Sequence, residues 1–162
     1  MDVSHLQERP DQAAPRPIVI DTNIVLDLFV FDDAAVVPLR EALAAGQLHW
    51  IAVPRMRDEL ERVLAYAQIA PRMAWHGREA AGVLAQWDAH AHLQPPAPRC
   101  HAICKDADDQ CFIDLAVAHR ALLLSKDGYV LRLRKRLARH SGVAVARTLS
   151  EALQVSRTFG GA

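Results

Sequence analysis

The chain has 162 residues, 51% hydrophobic and 23% charged, enough for one domain that buries roughly two-thirds of its unfolded surface. No apolar run approaches the roughly 20 residues that cross a bilayer, and three Cys exclude a paired disulfide framework and fit a reducing cytoplasm. Net charge is zero and does not argue for nucleic acid, yet residues 126–147 hold seven Lys or Arg against one acid, Asp127, about +6 there and −6 elsewhere.

In chain order, MDVSHLQERPDQAAPR (1–16) is polar, contains Pro and lacks the apolar region of a secretory signal, so a disordered lead-in is expected. Ile18–Ile20 reads as a buried strand, followed by a helix from about Ile24 and another over about Ala34–Ala45, ended by Gly46. Strand His49–Val53 precedes Pro54, which opens a helix running to about Ala67. A helix over about His76–His92 then gives way to the Pro-rich loop LQPPAPRC. The remainder reads as helix Asp108–Arg120, strand Ala121–Ser125, helix Tyr129–His140, strand Val143–Ala146 and a last helix from about Ser150. Strands separated by helices call for a mainly parallel sheet covered on both faces, a three-layer α/β/α sandwich. Ligands in such sheets sit beyond the C-terminal strand ends, where Asp21 and Asp127 fall.

A carboxylate ending an apolar strand needs solvation, hydrogen bonds or a cation. One reading makes Asn23 a helix cap and Asp21 a charge at the helix's positive end. Other acids suggest a site. In PRMRDELERVLAYA, Met56, Leu60, Val63 and Leu64 share a face. Glu59 lies at that face's edge, whereas Asp58 and Glu61 point away as surface charges. In DADDQCFIDLAVAH, Asp109 falls among Phe112, Ile113 and Ala116, with Asp114 further round. Asp108 shares the first turn, where acids also complement the dipole. Four converging carboxylates would repel unless a hard, oxygen-ligated cation, Mg²⁺ or Mn²⁺, joined them. Such a centre activates water and stabilises a leaving phosphate oxygen.

The segments VIDTNIVLD, MRDELERVL and KDADDQCFIDLAVAHRALLLSKD, with a closing strand and helix, resemble the PIN-domain ribonucleases over about residues 17–155. The resemblance is strongest to the bacterial branch of toxin components in toxin–antitoxin pairs. It implies a PIN-like fold, metal-dependent RNA cleavage, an antitoxin partner and, as in many relatives, a homodimer. The family's metal-binding acids fall on Asp21, Glu59, Asp109 and Asp127, and its polar helpers on Asn23 and Ser125. A further acid that the family often carries after the last has no counterpart in KDGYVLRL.

Within YVLRLRKRLARH, Arg132, Lys135, Arg136 and Arg139 lie at helical spacing opposite Val130, Leu133 and Leu137, giving a basic stripe placed to track RNA phosphates. No aromatic residue lies within the stripe for base stacking. His90, His92, Cys100, His101 and Cys104 lack the paired spacing of a zinc site. Trp50, Trp75 and Trp87 read as packing residues, and Asp27, Asp32 and Asp33 as helix-end charges. A non-catalytic RNA- or protein-binding module is the alternative. A dehalogenase-type phosphatase ranks last, because DTN has no second Asp two residues on. The domain is expected over 17–155, with 156–162 a short tail.

Overall fold

The structure, a computed structural model, describes residues 14–159. The expected lead-in lies almost wholly outside the described residues. β1 (Arg16–Ile20), β2 (Leu48–Ala52), β3 (His92–Leu93), β4 (Leu122–Leu124) and β5 (Val145–Ala146) form one parallel sheet in the order β3-β2-β1-β4-β5. Ile18 pairs with Trp50 on one side and Leu122 on the other, and Ile20 with Leu124. Ile18, Val19, Leu122 and Leu123 are fully buried, as expected of central strands covered on both faces. Each such side chain contributes about 1.5–3 kcal/mol on burial.

The helices are α1 (Thr22–Phe29), α2 (Val37–Ala44), α3 (Pro54–Leu64), α4 (Ala70–Trp75), α5 (Ala80–His90), α6 (Gln110–His119), α7 (Gly128–Leu131), α8 (Arg134–Ser141) and α9 (Leu149–Phe159). In the layer formed by α2 and α9, α2 packs on β2 and α9 on β4 and β5. Across the sheet α6 lies over β1 and β4, and α3 bridges α5 and α6. This is the expected α/β/α sandwich. The guanidinium of Arg16 donates to Ser156 Oγ, tying the start of β1 to α9.

Several boundaries differ from expectation for physical reasons. α3 stops at Leu64; the expected 76–92 helix is the shorter α5, and α4, a helix not expected over 70–75, precedes it, the two parted by Gly77 at φ +65°. Only glycine adopts that left-handed conformation without strain. β3 is a strand the Pro-rich reading hid; it adds His92 and Leu93 beside β2 before Pro95 and Pro96 stop the pairing. The expected 129–140 helix breaks into α7 and α8, with a tighter bond from Leu133 N to Val130 O at the join. α9 runs through Phe159, so residues 156–159 continue a helix.

Candidate metal centre

Asp21 follows β1 and is itself the cap of α1, so Asn23 is not. Asp21 Oδ1 accepts from Thr22 N at 2.7 Å and Oδ2 from Ser125 Oγ at 2.5 Å. Asn23 Oδ1 instead accepts from Lys126 N at 3.2 Å, joining α1 to the loop after β4. The same loop is fixed by an ion pair of 2.6 Å between Lys126 Nζ and the buried Asp27 on α1. Ser125 Oγ also accepts from Asp127 N at 3.0 Å, so one buried hydroxyl holds two strand-end acids in register. Burial pushes the Asp21 carboxyl up to about 6 against the hydrogen bonds from Ser125 and Thr22, and the charges of Asp127 and Asp106 add to the rise.

Glu59 on α3 is half-buried, as its place on the helix predicts, while Asp58 and Glu61 are exposed. Its Oε2 accepts from Thr22 Oγ1 at 2.8 Å. Burial raises its pKa against that hydrogen bond, with Asp21 and Asp108 adding to the rise. The 3-10 turn Ala107–Asp109 precedes α6 and is capped by Asp106, whose side chain accepts from Asp108 N at 3.0 Å. Asp127 caps α7 by accepting from Tyr129 N at 2.8 Å and Val130 N at 3.3 Å.

Asp106, Asp109 and Asp127 each offer a carboxylate oxygen, all within 4.8 Å of one another. Asp109 is 6% exposed, and its Oδ2 has no hydrogen-bond partner. Its pKa is pushed up to about 8, first by burial and then by the charges of Asp21, Asp127, Asp106 and Glu59. A buried carboxylate oxygen without a donor, faced by four like charges, is unfavourable unless a cation or proton compensates it. Oxygen-only donors at this spacing fit a hard divalent cation. Asp109, Asp127 and Asp106 would hold it, with Asp21 and Glu59 alongside.

Asp106 stands outside the acid set that the sequence suggests. Its signal is the spacing Asp106-x-x-Asp109, obscured because a 3-10 turn precedes α6 and ordinary helical phase does not apply there. Residues 17–127, well over half of the chain, match the sequence model of a family described as PIN domain. The chain belongs to the PIN domain family. No curated protein matches it. PIN domains are a nuclease family that uses divalent metals, and the acidic trio fits such an ion.

Other acids of this PIN domain have structural work. Asp108 is exposed, 3.7 Å from Arg55. Asp114, expected off the inward face, is buried; its Oδ1 accepts from Cys100 N at 3.0 Å and Gln110 Nε2 at 2.8 Å. Gln110 also donates to Ala102 O and accepts from Cys104 N, so α6 latches the 100–104 loop. Among the former zinc candidates, His90 contacts Gln86 O, and the His92 ring lies 4.3 Å from that of His49. Asp33 caps a 3-10 turn, and Asp32 pairs with Arg40 and Arg78. Trp50 and Trp87 are core, but Trp75 is 87% exposed and packs into nothing comparable. Of the basic stripe, Arg132 and Lys135 share a hollow with Arg134 and Arg147. Arg136 lines another with His101 and His140, and Arg139 is exposed on the following turn.

Proposed function

We propose that the protein is an endoribonuclease that hydrolyses phosphodiester bonds in single-stranded or structured RNA with Mg²⁺ or Mn²⁺. It acts in the cytoplasm as the toxin of a toxin–antitoxin pair, bound by a cognate antitoxin and assembling as a homodimer. The observation that carries the catalytic part is the Asp106, Asp109 and Asp127 cluster around the unpartnered Asp109 Oδ2. The bound cation supplies an activated water and charge compensation at the leaving oxygen. Asp106, Asp109 and Asp127 would be its protein ligands, with Asp21 and Glu59 completing the acidic wall. Ser125 and Thr22 orient that wall by donating to Asp21 and Glu59. Asn23 supports it by holding the backbone of Lys126. The toxin role rests on the resemblance of the quoted motifs alone.

A mixed RNA pool incubated with Mn²⁺, Mg²⁺ or EDTA, followed by end mapping, tests the reading. Internal cleavage should appear only with metal and vanish in Asp109→Asn. No cleavage under any metal, in protein that remains folded, leaves the binding-module alternative. Growth arrest on expression, relieved by the antitoxin and absent for Asp109→Asn, tests the regulatory part.

A further inference from the structure

Sequence spacing groups the basic residues by helix face, and the fold groups them differently. Gly128, Leu131, Arg132, Arg134, Lys135 and Arg147 line one hollow of about 400 Å³. Arg134 opens α8 and Arg147 follows β5, so only the tertiary structure brings Arg147 to the others. All four cations are exposed, and none forms an ion pair among the described residues. Arg40, Arg57, Arg78 and Lys126, in contrast, each have an acid within hydrogen-bonding distance. Four like charges around one concavity repel, and a polyanion displacing their counterions relieves that repulsion.

The hollow adjoins the acidic centre. Gly128 follows Asp127 directly, so the surface changes from strongly negative to strongly positive within one residue of backbone. Tyr129, next along and outside the stripe and the hollow's lining, supplies the aromatic that the stripe lacks: it is 44% exposed, and the Arg132 guanidinium lies 5.2 Å from its ring centroid. An exposed ring beside an arginine offers a stacking platform suited to a base. Repeated phosphates with an adjacent base match this combination better than an acidic protein segment, which has no use for the ring.

We propose that this hollow grips the sugar–phosphate backbone of single-stranded RNA flanking the acidic centre, with Arg134 and Arg147 as principal contacts and Tyr129 and Arg132 stacking one base. The nature of the ligand rests on the nuclease reading; the grouping of the cations does not.

Binding of a short fluorescent single-stranded RNA, in EDTA and over a salt series, tests it. Arg134→Gln/Arg147→Gln should weaken binding and reduce the log–log salt slope by about 1.4, two contacts at roughly 0.7 each. Arg99→Gln/Arg120→Gln removes the same charge at two exposed cations outside the hollow and outside the basic stripe, and should leave the slope near wild type. Tyr129→Leu should lower affinity without changing the slope. With Mn²⁺, the first double variant should raise KM for RNA at unchanged kcat and unchanged Mn²⁺ affinity.

Equal slope losses in the two double variants would reduce the effect to bulk charge and overturn the proposal. It is also overturned if Arg134→Gln/Arg147→Gln loses binding to a polyglutamate probe while its RNA slope stays as in wild type, which marks a protein surface. RNA binding with the expected slopes but no cleavage in Mn²⁺ defeats the nuclease reading and leaves the hollow standing. Cleavage with unchanged slope and KM does the reverse.

Discussion

Asp109 shows at one residue what the centre demands. Unfolded, Asp21 and Asp109 titrate near 3.8; folded without metal they titrate near 6 and 8. The native chain therefore holds protons that the unfolded chain has released between those values. In EDTA, stability should be highest below about pH 4 as far as these two groups go, and fall as pH rises through about 6 and 8. The two acids interact, so the loss belongs to the pair. Urea midpoints across pH check this, and Asp109→Asn should flatten the fall above about pH 6. The same change should lower Mn²⁺ affinity by more than about tenfold, the loss typical of outer-shell partners alone. Glu59 and Glu61 provide a second comparison. Glu59→Gln should weaken metal binding, because Glu59 sits half-buried against Thr22. Glu61, exposed and 3.9 Å from Arg57, should cost no more than about 0.5 kcal/mol when changed to Gln. Equal losses in a metal titration would move Glu59 out of the site.

At the scale of elements, the break between α4 and α5 can be tested with two glycines of opposite expected sign. Added Cβ atoms at Gly77 and Gly82 meet nothing within 4 Å, so backbone conformation alone decides. Gly77→Ala, at φ +65°, should cost on the order of 1 kcal/mol. Gly82→Ala, in the first turns of α5, should gain a few tenths to about 1 kcal/mol. Thermal midpoints check both. The strands were legible because Ile18–Ile20 and Ala121–Ser125 are short apolar runs bounded by polar residues. The inward turn of Glu59 was legible because α3 is regular and amphipathic. Asp106 and the split of Tyr129–His140 were not, because both depend on 3-10 geometry, which leaves no 3.6-residue period to read. β3 was hidden because a two-residue strand is specified by its neighbour β2 and not by its own composition.

Across the whole molecule, metal binding should act as folding energy. Carboxylates gathered from β1, α3, the turn before α6 and the loop after β4 repel in the bare protein, so a cation that binds only the native arrangement stabilises it. At a hundred times its dissociation constant it should add about 2.7 kcal/mol. Thermal scans with increasing Mn²⁺ should show a rising midpoint in wild type and little change in Asp109→Asn. A midpoint insensitive to Mn²⁺ and Mg²⁺ would mean that the acids hold neither ion.

The strand order gives the molecule a timetable. β1 occupies the middle of the sheet, and its second edge waits for β4; Asp21 and the hydroxyl that fixes it, on Ser125, are 104 residues apart. While the chain is being made, β1, β2 and β3 can pair as soon as they leave the ribosome. Until β4 emerges, β1 presents an unprotected apolar edge, the hazard that slow, long-range parallel pairing brings. Asp127 arrives directly after β4, so the step that closes this edge also delivers the last acid of the trio. On the nuclease reading, a nascent or stalled chain that has not yet released β4 lacks the last acid of the centre, and competence begins only once β4 has docked beside β1.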